Sequence, residues 1–441
     1  MKNRNSYFYT YSVIVVWIVV IMATGCTASP TRTETKQVTI LYSSVSDFMN
    51  DFGGTLRSEF TDINIQVIEF ESVLGKGVWN GFKYVPASGQ NWDDQAFIQL
   101  IKETNPDILY FPESLYPKLL EEGLLRDVTN QLSSEQYWNI DPSLIETFKK
   151  MGDGRVFFIS DSLASQAIYY NKDIFLNYGL DEPHDKMTWE DVLELSDLIT
   201  KRGLEDQVIG LQTPNYSMID LLFIIGEAQG LNWYDTQSQT TLFSNPGWRP
   251  VVEKVVREYK SEKGIKIENK STAHWFNGGH VAMVLDTFRL KDELQKLDSS
   301  VNWRMVSAPI VHEDDSLSNS NTFQYLNGIH ESTTQSQEVW KVWSYMNSRD
   351  VGLARHNGSM FRFTIPVRSF IRDDEVRNLA SLYKVTPWVL SGKANMNASV
   401  RMENTAKAYL LQQLQKILMD ELTLENALTR WDTELHKVMM P

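Results

Sequence analysis

The stretch "IYYNKDIFLNYGLDEPHDKMTWEDV", residues 168–192, contains the features that decide the fold class. Two short segments, "RVFFIS" and "LASQAIYY", lead into it, and their β-branched and aromatic residues predict strands. "KDIFLNYGL" predicts about two helical turns that end with Gly179 in the left-handed conformation. Thr188 then caps a second helix, and Asp191 three residues later completes a capping box. Strand, helix, turn and helix in succession are typical of an α/β protein.

The same alternation continues along the chain. "VTILYSS" and "INIQVIEFE" predict strands on either side of a helix, and "PDILYF" predicts a strand after a helix at 94–104. One apolar stripe runs along the second helix of the opening stretch: Trp189, Val192, Leu195 and Ile199. The last forty or so residues predict two amphipathic helices. The whole pattern predicts mostly parallel sheets with helices on their faces.

The N-terminal segment predicts export. Basic residues precede an acid-free apolar stretch that ends in small residues, and Cys26, the single cysteine of the chain, follows directly. The pattern predicts a lipoprotein signal at 1–25, lipid on the thiol of Cys26, and a polar tether at 26–36. A plain secretory signal and an uncleaved membrane anchor are the alternatives, since Ala23 stands where lipoprotein signals usually carry Leu. All three interpretations place the remaining chain outside the cytoplasmic membrane, and the lipoprotein interpretation holds it at the outer face of that membrane.

Composition limits the classes of function. The formal net charge is −14, and a strongly acidic exported protein is a poor partner for nucleic acid. Neither a P-loop nor a dinucleotide-binding glycine pattern occurs between a strand and a helix. A lipidated Cys26 leaves no thiol for a disulfide or a Cys-based metal site, and His274 and His280 are not spaced like a helical metal pair. We therefore predict no cofactor and no metal.

The opening stretch resembles a signature of the bacterial extracellular solute-binding proteins of the large sugar-binding family, the maltose-binding protein-like proteins. The matching residues are Tyr170, Asn171, Lys172, Asp173, Phe175, Gly179, Leu180, Pro183, Thr188, Trp189 and Glu190. Further motifs keep the family's order: "NPDILYF", "EEGLLRDVT", "FNGGHVAM", "WRMVSAPI", "VWKVWSYMNS", "FTIPVR" and "LTLENAL". Together and in this order, across residues 38–438, these matches are specific, although each alone is weak.

The resemblance implies a two-lobed periplasmic-binding-protein-like fold of type II, with a mostly parallel, helix-flanked sheet in each lobe and the ligand in the cleft between them. By correspondence of motifs, lobe one comprises 37–111 and 310–348, and lobe two comprises 112–309 and 349–441. Such proteins catalyse nothing and hand their solute to the permease subunits of an ABC importer. The resemblance thus implies a monomeric, lipid-anchored protein that binds a carbohydrate, in particular an oligosaccharide.

Two other classes stay open. An exported carbohydrate-active hydrolase needs two carboxylates at a defined separation, and the 56 acidic residues allow such a pair. No nucleophile elbow and no H-E-x-x-H motif supports that class, however. A lipoprotein that binds or senses its ligand without a transporter has the same sequence features as an importer component.

Candidate ligand contacts follow the C-terminal ends of predicted strands, where open α/β sheets bind ligands. They are Ser43, Asp47, Phe111, Glu113, Asp161, Ser162, Asn215, Tyr216, Asp286, Arg289 and, in an irregular segment, Trp388. Asn215 and Tyr216 lie in "LQTPNYSM", which resembles a family loop with sugar-contacting side chains. Arg289 stands where the family often has a Trp in the cleft, which implies a different or an acidic sugar. A plain loop role remains the alternative for each candidate.

Sugars combine apolar C–H faces with hydroxyl groups, so their sites combine aromatic rings with charged or amide partners. The ring of Phe111, at the first predicted crossing between lobes, is expected to face the cleft and to stack on a sugar. Asp161 and Asp286 are expected to accept hydroxyl hydrogen bonds from the other lobe. The Gly-rich, aromatic-rich segment 72–92 is either a structureless surface excursion or an extension of this site.

Processing at Cys26 gives the first testable prediction. The wild-type protein is expected to incorporate labelled lipid and to accumulate as a longer precursor when globomycin blocks lipoprotein signal cleavage. Cys26→Ser removes the only acceptor thiol and is expected to abolish labelling. A Cys26→Ser protein that is still labelled and is processed like the wild type would show that the lipoprotein interpretation is wrong.

Overall fold

The computed structural model describes residues 36–439, except for 76, 80–83, 87–93, 135–139, 141, 161, 236–237, 265–270, 288, 298–300, 312–316, 319, 324, 335, 349, 353–364, 367–378 and 388–399. The strands are β1 (Lys36–Tyr42), β2 (Ile63–Glu69), β3 (Gly77–Trp79), β4 (Tyr84–Pro86), β5 (Ile108–Pro112), β6 (Ser162–Ala164), β7 (Gln166–Asn171), β8 (Ile209–Gln212), β9 (Tyr234–Asp235), β10 (Thr240–Thr241), β11 (Val281–Thr287), β12 (Trp303–Ser307), β13 (Leu317–Ser318), β14 (Thr322–Phe323), β15 (Tyr325–Ile329), β16 (Ile365–Pro366) and β17 (Thr386–Pro387).

The α-helices are Val45–Phe48, Gly54–Glu59, Glu71–Leu74, Asp94–Thr104, Tyr116–Glu121, Thr129–Ser134, Pro142–Met151, Lys172–Tyr178, Trp189–Arg202, Met218–Ala228, Trp248–Gly264, Thr272–Asn277, Arg289–Lys296, Ser336–Met346, Val400–Leu418 and Leu424–Met439. A π-helical turn, Met49–Gly53, joins the first two, and 3-10 turns occur at Glu113–Leu115 and Leu379–Tyr383. None of the helices described is both long enough and apolar enough to cross a bilayer.

Two four-stranded sheets organise the chain. The first has the order β15-β5-β1-β2, with β1 parallel to β2 and β5 and with β15 antiparallel to β5. The second has the order β12-β7-β11-β8, with β11 parallel to β8 and with β7 antiparallel to both of its neighbours. The α/β class is confirmed, but the second sheet is mainly antiparallel rather than mostly parallel. Its direction changes because β7 runs into the sheet from the edge at which β11 ends.

A small third sheet connects the other two. β6 pairs antiparallel with both β14 and β16, and each of these strands lies on a segment that joins the two large sheets. β6 runs directly into β7 of the second sheet, and β14 runs into β15 of the first. β16 follows the helix Ser336–Met346, which contacts β1. We call β6, β14 and β16 the crossing sheet, since the chain passes between the two large sheets three times there.

The first crossing lies later than the sequence analysis predicted. After β5 the chain stays against the first sheet, where Leu125 forms an isolated bridge with His330 and the Arg126 N–H donates to the carbonyl of Ile329, the last residue of β15. Ile159 forms an isolated bridge with Asn327 of β15. The chain therefore leaves the first sheet after Ile159, not at Phe111. "RVFFIS" is accordingly not a regular strand, because it runs from the first sheet toward the crossing. The lobe boundaries as a whole stay a prediction.

The opening stretch has the local structure that its residues predict. The helix Lys172–Tyr178 ends at Gly179, which has a φ of 61° and the left-handed conformation. The Thr188 hydroxyl accepts from the backbone N–H of Asp191, and the Asp191 carboxylate accepts from that of Thr188, which completes the capping box. The glycine that ends the first helix and the capping box that begins the second each depend on residues only three or four positions apart. The packing of distant parts of the chain therefore hardly alters either feature.

The second sheet is covered by helices that share one apolar cluster. Trp189, Val192 and Ile199 are buried there as the helical spacing predicts, and Leu195 is half-buried. The helices Met218–Ala228, Val400–Leu418 and Leu424–Met439 contribute to the same cluster. The C-terminal helices therefore complete the core of the second sheet, although they follow its last strand by more than ninety residues.

Removal of the Trp189 ring tests this packing. The side chain is only 2% exposed, so Trp189→Ala is expected to lower the free energy of unfolding by about 3–5 kcal/mol. Urea unfolding followed by circular dichroism measures the change. Leu204→Ala is the control, because Leu204 is 70% exposed and its truncation should change stability by no more than about 0.5 kcal/mol. Equal stability of Trp189→Ala and the wild type would contradict this assignment of the core.

Candidate ligand-binding site

Polar side chains lie where β1 and β2 end in the first sheet. The Ser43 hydroxyl donates to Asp47 Oδ2 at 2.9 Å, and Ser44 caps the helix that follows. Glu69, the last residue of β2, accepts from the backbone N–H of Val45 at 2.7 Å. Hydroxyl and carboxylate groups thus converge at the carboxyl edge of this sheet, which is the edge that binds ligands in open α/β proteins.

Glu113 holds the crossing sheet to the first sheet. It follows β5 directly and is 7% exposed. Its Oε2 accepts from the Thr322 hydroxyl at 2.6 Å and from the Phe323 backbone N–H at 2.9 Å. Because both donors belong to β14, Glu113 fixes that strand against the end of β5. The structure therefore gives Glu113 a positioning role at the crossing.

Phe111 does not face a cleft in this structure. Its side chain is 0% exposed, and every residue of β5 is buried. β5 lies between β1 and β15, and the segment after it forms bridges with β15 and the residue that follows β15. The expectation that Phe111 stacks on a ligand assumed that the chain leaves the first sheet at the end of β5. That expectation does not fit the burial of the Phe111 side chain. Phe111 is a core residue here.

Asn215 and Asp286, both predicted contacts, lie together at the carboxyl edge of the second sheet. β8 and β11 are parallel and end there. Asn215 Nδ2 donates to Asp286 Oδ1 at 2.7 Å, and the backbone N–H of Thr287 donates to the same oxygen at 2.7 Å. Among the described residues, no hydrogen bond reaches Asp286 Oδ2. This oxygen is the acceptor that the arrangement offers to a ligand hydroxyl.

Burial sets the electrostatics of Asp286. The carboxyl is 8% exposed, and burial raises its pKa, against the opposing effects of the Asn215 amide, the Thr287 N–H and the Arg289 cation. A carboxylate held in a poorly solvated position forms stronger hydrogen bonds than one in water. Asp286 can therefore discriminate a ligand that donates a hydroxyl from one that carries a negative charge.

Arg289 has a partner on its own helix. Its Nε donates to Glu293 Oε1 at 2.6 Å, one turn along Arg289–Lys296, and the side chain is about half exposed. Since this carboxylate balances the guanidinium charge, the structure lends no support to the interpretation that Arg289 selects an acidic sugar.

Tyr216 lies beside the crossing sheet. Burial raises the pKa of the Tyr216 hydroxyl. Hydrogen bonds with the side chains of Ser320 and Gln166 oppose part of that rise, so both residues are neighbours of Tyr216. Its backbone carbonyl accepts from the Tyr259 hydroxyl at 3.1 Å. Asn215 and Tyr216 are adjacent in sequence, so one loop reaches both the Asp286 carboxylate and the crossing.

A buried amide ties the three crossings together. Asn321 is 1% exposed, and its Oδ1 accepts from the backbone N–H of Gln166 at 3.1 Å. Its Nδ2 donates to the carbonyl of Val385 at 3.1 Å, and the Ser165 hydroxyl donates to the carbonyl of Leu382 at 2.7 Å. Segments adjoining β6, β14 and β17 thus share one network next to the candidate site.

Sequence reasoning missed residues at the starts of antiparallel strands. Gln166 begins β7 opposite Thr287 at the end of β11, and Tyr325 begins β15 opposite Pro112 at the end of β5. Both lie at the carboxyl edges of the parallel strands. Gln212, at the end of β8, was missed as well, and its Oε1 is buried without a hydrogen bond in the described part of the chain. Gln166 and Tyr325 share one sequence signal that could have identified them. Each is a polar or aromatic residue at the first position of a strand that follows a crossing.

Some predicted positions lie outside the described residues: Cys26, Asp161, the side chain of Ser162, and Trp388. The segment 72–92, for which the sequence left open a structureless excursion or an extension of the site, contains the antiparallel pair β3 and β4. Within the described chain, no group of three or more His, Cys, Asp or Glu side chains could hold a metal ion.

The sequence model of the family "Bacterial extracellular solute-binding protein" matches residues 81–309, just over half of the chain. The chain belongs to the bacterial extracellular solute-binding proteins. This family contains binding proteins of ABC importers and is not a family of enzymes. Comparison with curated proteins gives no match.

Solved structures share the fold of this solute-binding protein. A binding protein from Bacillus subtilis, msme in an open conformation, superimposes with a TM-score of 0.59 at 12% identity over 92% of this chain and 98% of its own. A family 1 extracellular solute-binding protein from Bifidobacterium longum subsp. infantis gives 0.54 at 15% identity over 91% and 99%. MalE, a sugar-binding protein from Xanthomonas citri, gives 0.54 at 12% over 92% and 97%. The two-lobed, type II periplasmic-binding-protein-like fold is confirmed.

Asp286→Asn tests the electrostatics of the site. The pKa of Asp286 is raised in the folded protein, so the unfolded chain loses its proton first, near the ordinary Asp pKa of about 3.9. Stability therefore falls as the pH rises from that value through the raised pKa, and the full cost of the charged carboxylate is present above it. Asp286→Asn removes that cost and is expected to raise Tm at pH 7, with a gain that shrinks toward acidic pH. Ligand affinity is expected to fall about tenfold, since a hydrogen bond to a charged group contributes about 1.5–3 kcal/mol.

Asp220→Asn is the matched control for stability. Burial alone raises the pKa of Asp220, but the Ser217 hydroxyl and the Lys407 cation outweigh burial and lower it overall. Asp220 thus adds stability above the ordinary Asp pKa, and Asp220→Asn should lower Tm at pH 7. Thermal unfolding from pH 4 to 8 and calorimetric titration measure both variants. A lower Tm and unchanged affinity in Asp286→Asn would contradict the role given to this carboxyl.

Proposed function

We propose that this solute-binding protein captures a carbohydrate, in particular an oligosaccharide, outside the cytoplasmic membrane and delivers it to the permease subunits of an ABC importer. The observation that carries the proposal is the pairing of Asn215 with Asp286 at the carboxyl edge of the second sheet, beside the crossings. One carboxylate oxygen is fixed by two donors, and the other accepts no hydrogen bond from the described residues. Such an acceptor suits a hydroxyl.

The charges at both edges support a neutral, hydroxyl-bearing ligand. Asp47 and Glu69 at the first sheet and Asp286 at the second are acceptors, and the nearby Arg289 is balanced by Glu293. A ligand carboxylate or phosphate brought between these edges meets like charge, which costs binding energy. The sugar-binding description of the Xanthomonas citri protein, which shares the fold, is in keeping with this proposal.

The proposed mechanism is capture without chemistry. A ligand that contacts both sheets favours the closed arrangement of the crossings over the open one by its differential affinity for the two. The loop that carries Asn215 also carries Tyr216 next to Ser320, so occupancy of the site reaches the crossings directly. The permease then distinguishes loaded from empty protein by its shape.

The remaining elements of the proposal concern location and assembly. A lipid on Cys26 holds the protein at the outer face of the cytoplasmic membrane through the tether at 26–36. Two or more acyl chains anchor stably, whereas one chain is marginal. We propose that the protein acts as a monomer, since each chain contains both edges of the site.

A thermal-shift screen with mono- and oligosaccharides tests the function. A ligand that binds only the native state and is present at about 100 times its Kd stabilises the protein by about 2.7 kcal/mol. The hit should also compact the protein in small-angle scattering and be recovered unchanged by mass spectrometry. Recovery of a cleaved product would support the hydrolase instead, and tight binding with no loss of uptake in a permease-deficient strain would support the sensor.

A further inference from the structure

Tyr325 lies at the ligand-facing edge of the first sheet. It is the first residue of β15, and its register partner is Pro112, the last residue of β5. Because β15 is antiparallel to β5, it begins where β1 and β5 end, at the same edge as Ser43. Tyr325 therefore stands on the edge of the first sheet where the sequence analysis expected an aromatic ring and where Phe111 is buried.

The ring of Tyr325 is half-buried and supported from within the lobe. Its centroid lies 6.4 Å from that of Tyr42, with an angle of 35° between the planes. Tyr42 in turn packs edge-on against Phe48, Phe52 and Tyr110 at centroid distances of 5.5, 5.9 and 4.9 Å. A ring that rests on such a cluster has few alternative rotamers, so ordering it on binding costs little entropy.

The backbone of Tyr325 is fixed as firmly as its ring. Its carbonyl accepts from the Ser160 hydroxyl at 2.8 Å, and Ser160 directly precedes the first crossing. The next residue, Leu326, is 0% exposed in the core of the first sheet. The backbone that carries the ring is therefore fixed relative to the crossing, and the contact with Tyr42 limits the movement of the ring itself.

We propose that Tyr325 is the stacking platform of the first lobe and that the unit bound against it is a pyranose ring, not an acyclic polyol. The inference rests on the proposed carbohydrate function and extends it to the shape of the sugar. A pyranose chair presents a fixed apolar C–H face that fits an aromatic ring. An acyclic polyol has no such face and loses rotamer freedom on binding. Asp286 and Asn215 then read the hydroxyls from the second lobe.

The experiment compares ring and open-chain sugars. The probes are glucose, mannose, galactose and xylose with their linear trisaccharides, and the matching alditols sorbitol, mannitol, galactitol and xylitol. Calorimetry is performed on the wild type, Tyr325→Ala, Tyr325→Leu and Tyr325→Phe. The wild type is expected to bind a cyclic probe at least tenfold more tightly than the corresponding alditol. Tyr325→Ala and Tyr325→Leu should weaken that binding about tenfold to a hundredfold, and Tyr325→Phe should stay within about threefold.

Tyr345→Ala is the matched control. Tyr345 is also half-buried in the first lobe, but its ring packs edge-on against Phe60 at 5.4 Å, on the helix that contacts β1. This variant should lose stability and keep the wild-type Kd. Tyr325→Leu keeps apolar volume, so it serves as the binding test if Tyr325→Ala does not fold.

Each outcome separates the two proposals. If the wild type binds no probe, the carbohydrate function fails and the platform fails with it. If a cyclic probe binds and Tyr325→Leu binds it as tightly as the wild type does, the platform is overturned and the carbohydrate function stands. If an alditol binds as tightly as its cyclic counterpart, the pyranose assignment is overturned and a general polyol site takes its place.

Discussion

The pairing of β6 with β14 and β16 is the constraint on which the rest of the structure depends. Three distant parts of the chain must meet in these short strands, and buried backbone groups there have to find partners. Asn321 provides two of the side-chain bonds that hold adjoining segments together, and Glu113 holds β14 to the first sheet. Because a net hydrogen bond contributes about 1 kcal/mol, such a network can be firm yet still bend. These are the properties that a hinge between two lobes requires.

The main acceptor of the candidate site, the Asp286 carboxylate, is buried and therefore poorly solvated. Burial disfavours the charge on Asp286, and the Asn215 amide and the Thr287 N–H offset part of that cost. A ligand hydroxyl that donates to the same carboxylate offsets more of it. Binding sites often keep such local costs, since an acceptor that is already oriented needs no rearrangement when the ligand arrives.

In the proposed function, the two edges of the site divide the recognition of a sugar between them. The carboxylate and amide groups of the second sheet would bind hydroxyls, and the aromatic cluster around Tyr42 and Tyr325 would bind an apolar face. Neither edge alone encloses a ligand. Closure of the crossings is what brings polar and apolar surfaces to opposite sides of one sugar, so binding and movement are two aspects of the same event.

The sequence by itself determined the local elements and the family. The helix at 94–104, the left-handed Gly179 and the Thr188–Asp191 capping box depend on residues a few positions apart, and the structure has each of them as predicted. The loop carrying Asn215 and the strand carrying Asp286 were candidates for the site because they follow predicted strands and because their segments resemble segments of the family. Only the tertiary structure decided the position of the first crossing, the core location of Phe111 and the placement of Tyr325 and Gln166 at the carboxyl edges of the parallel strands. These depend on which strands become neighbours and in which direction they run, and pairing partners as far apart as Pro112 and Tyr325 leave no periodic signal in either segment.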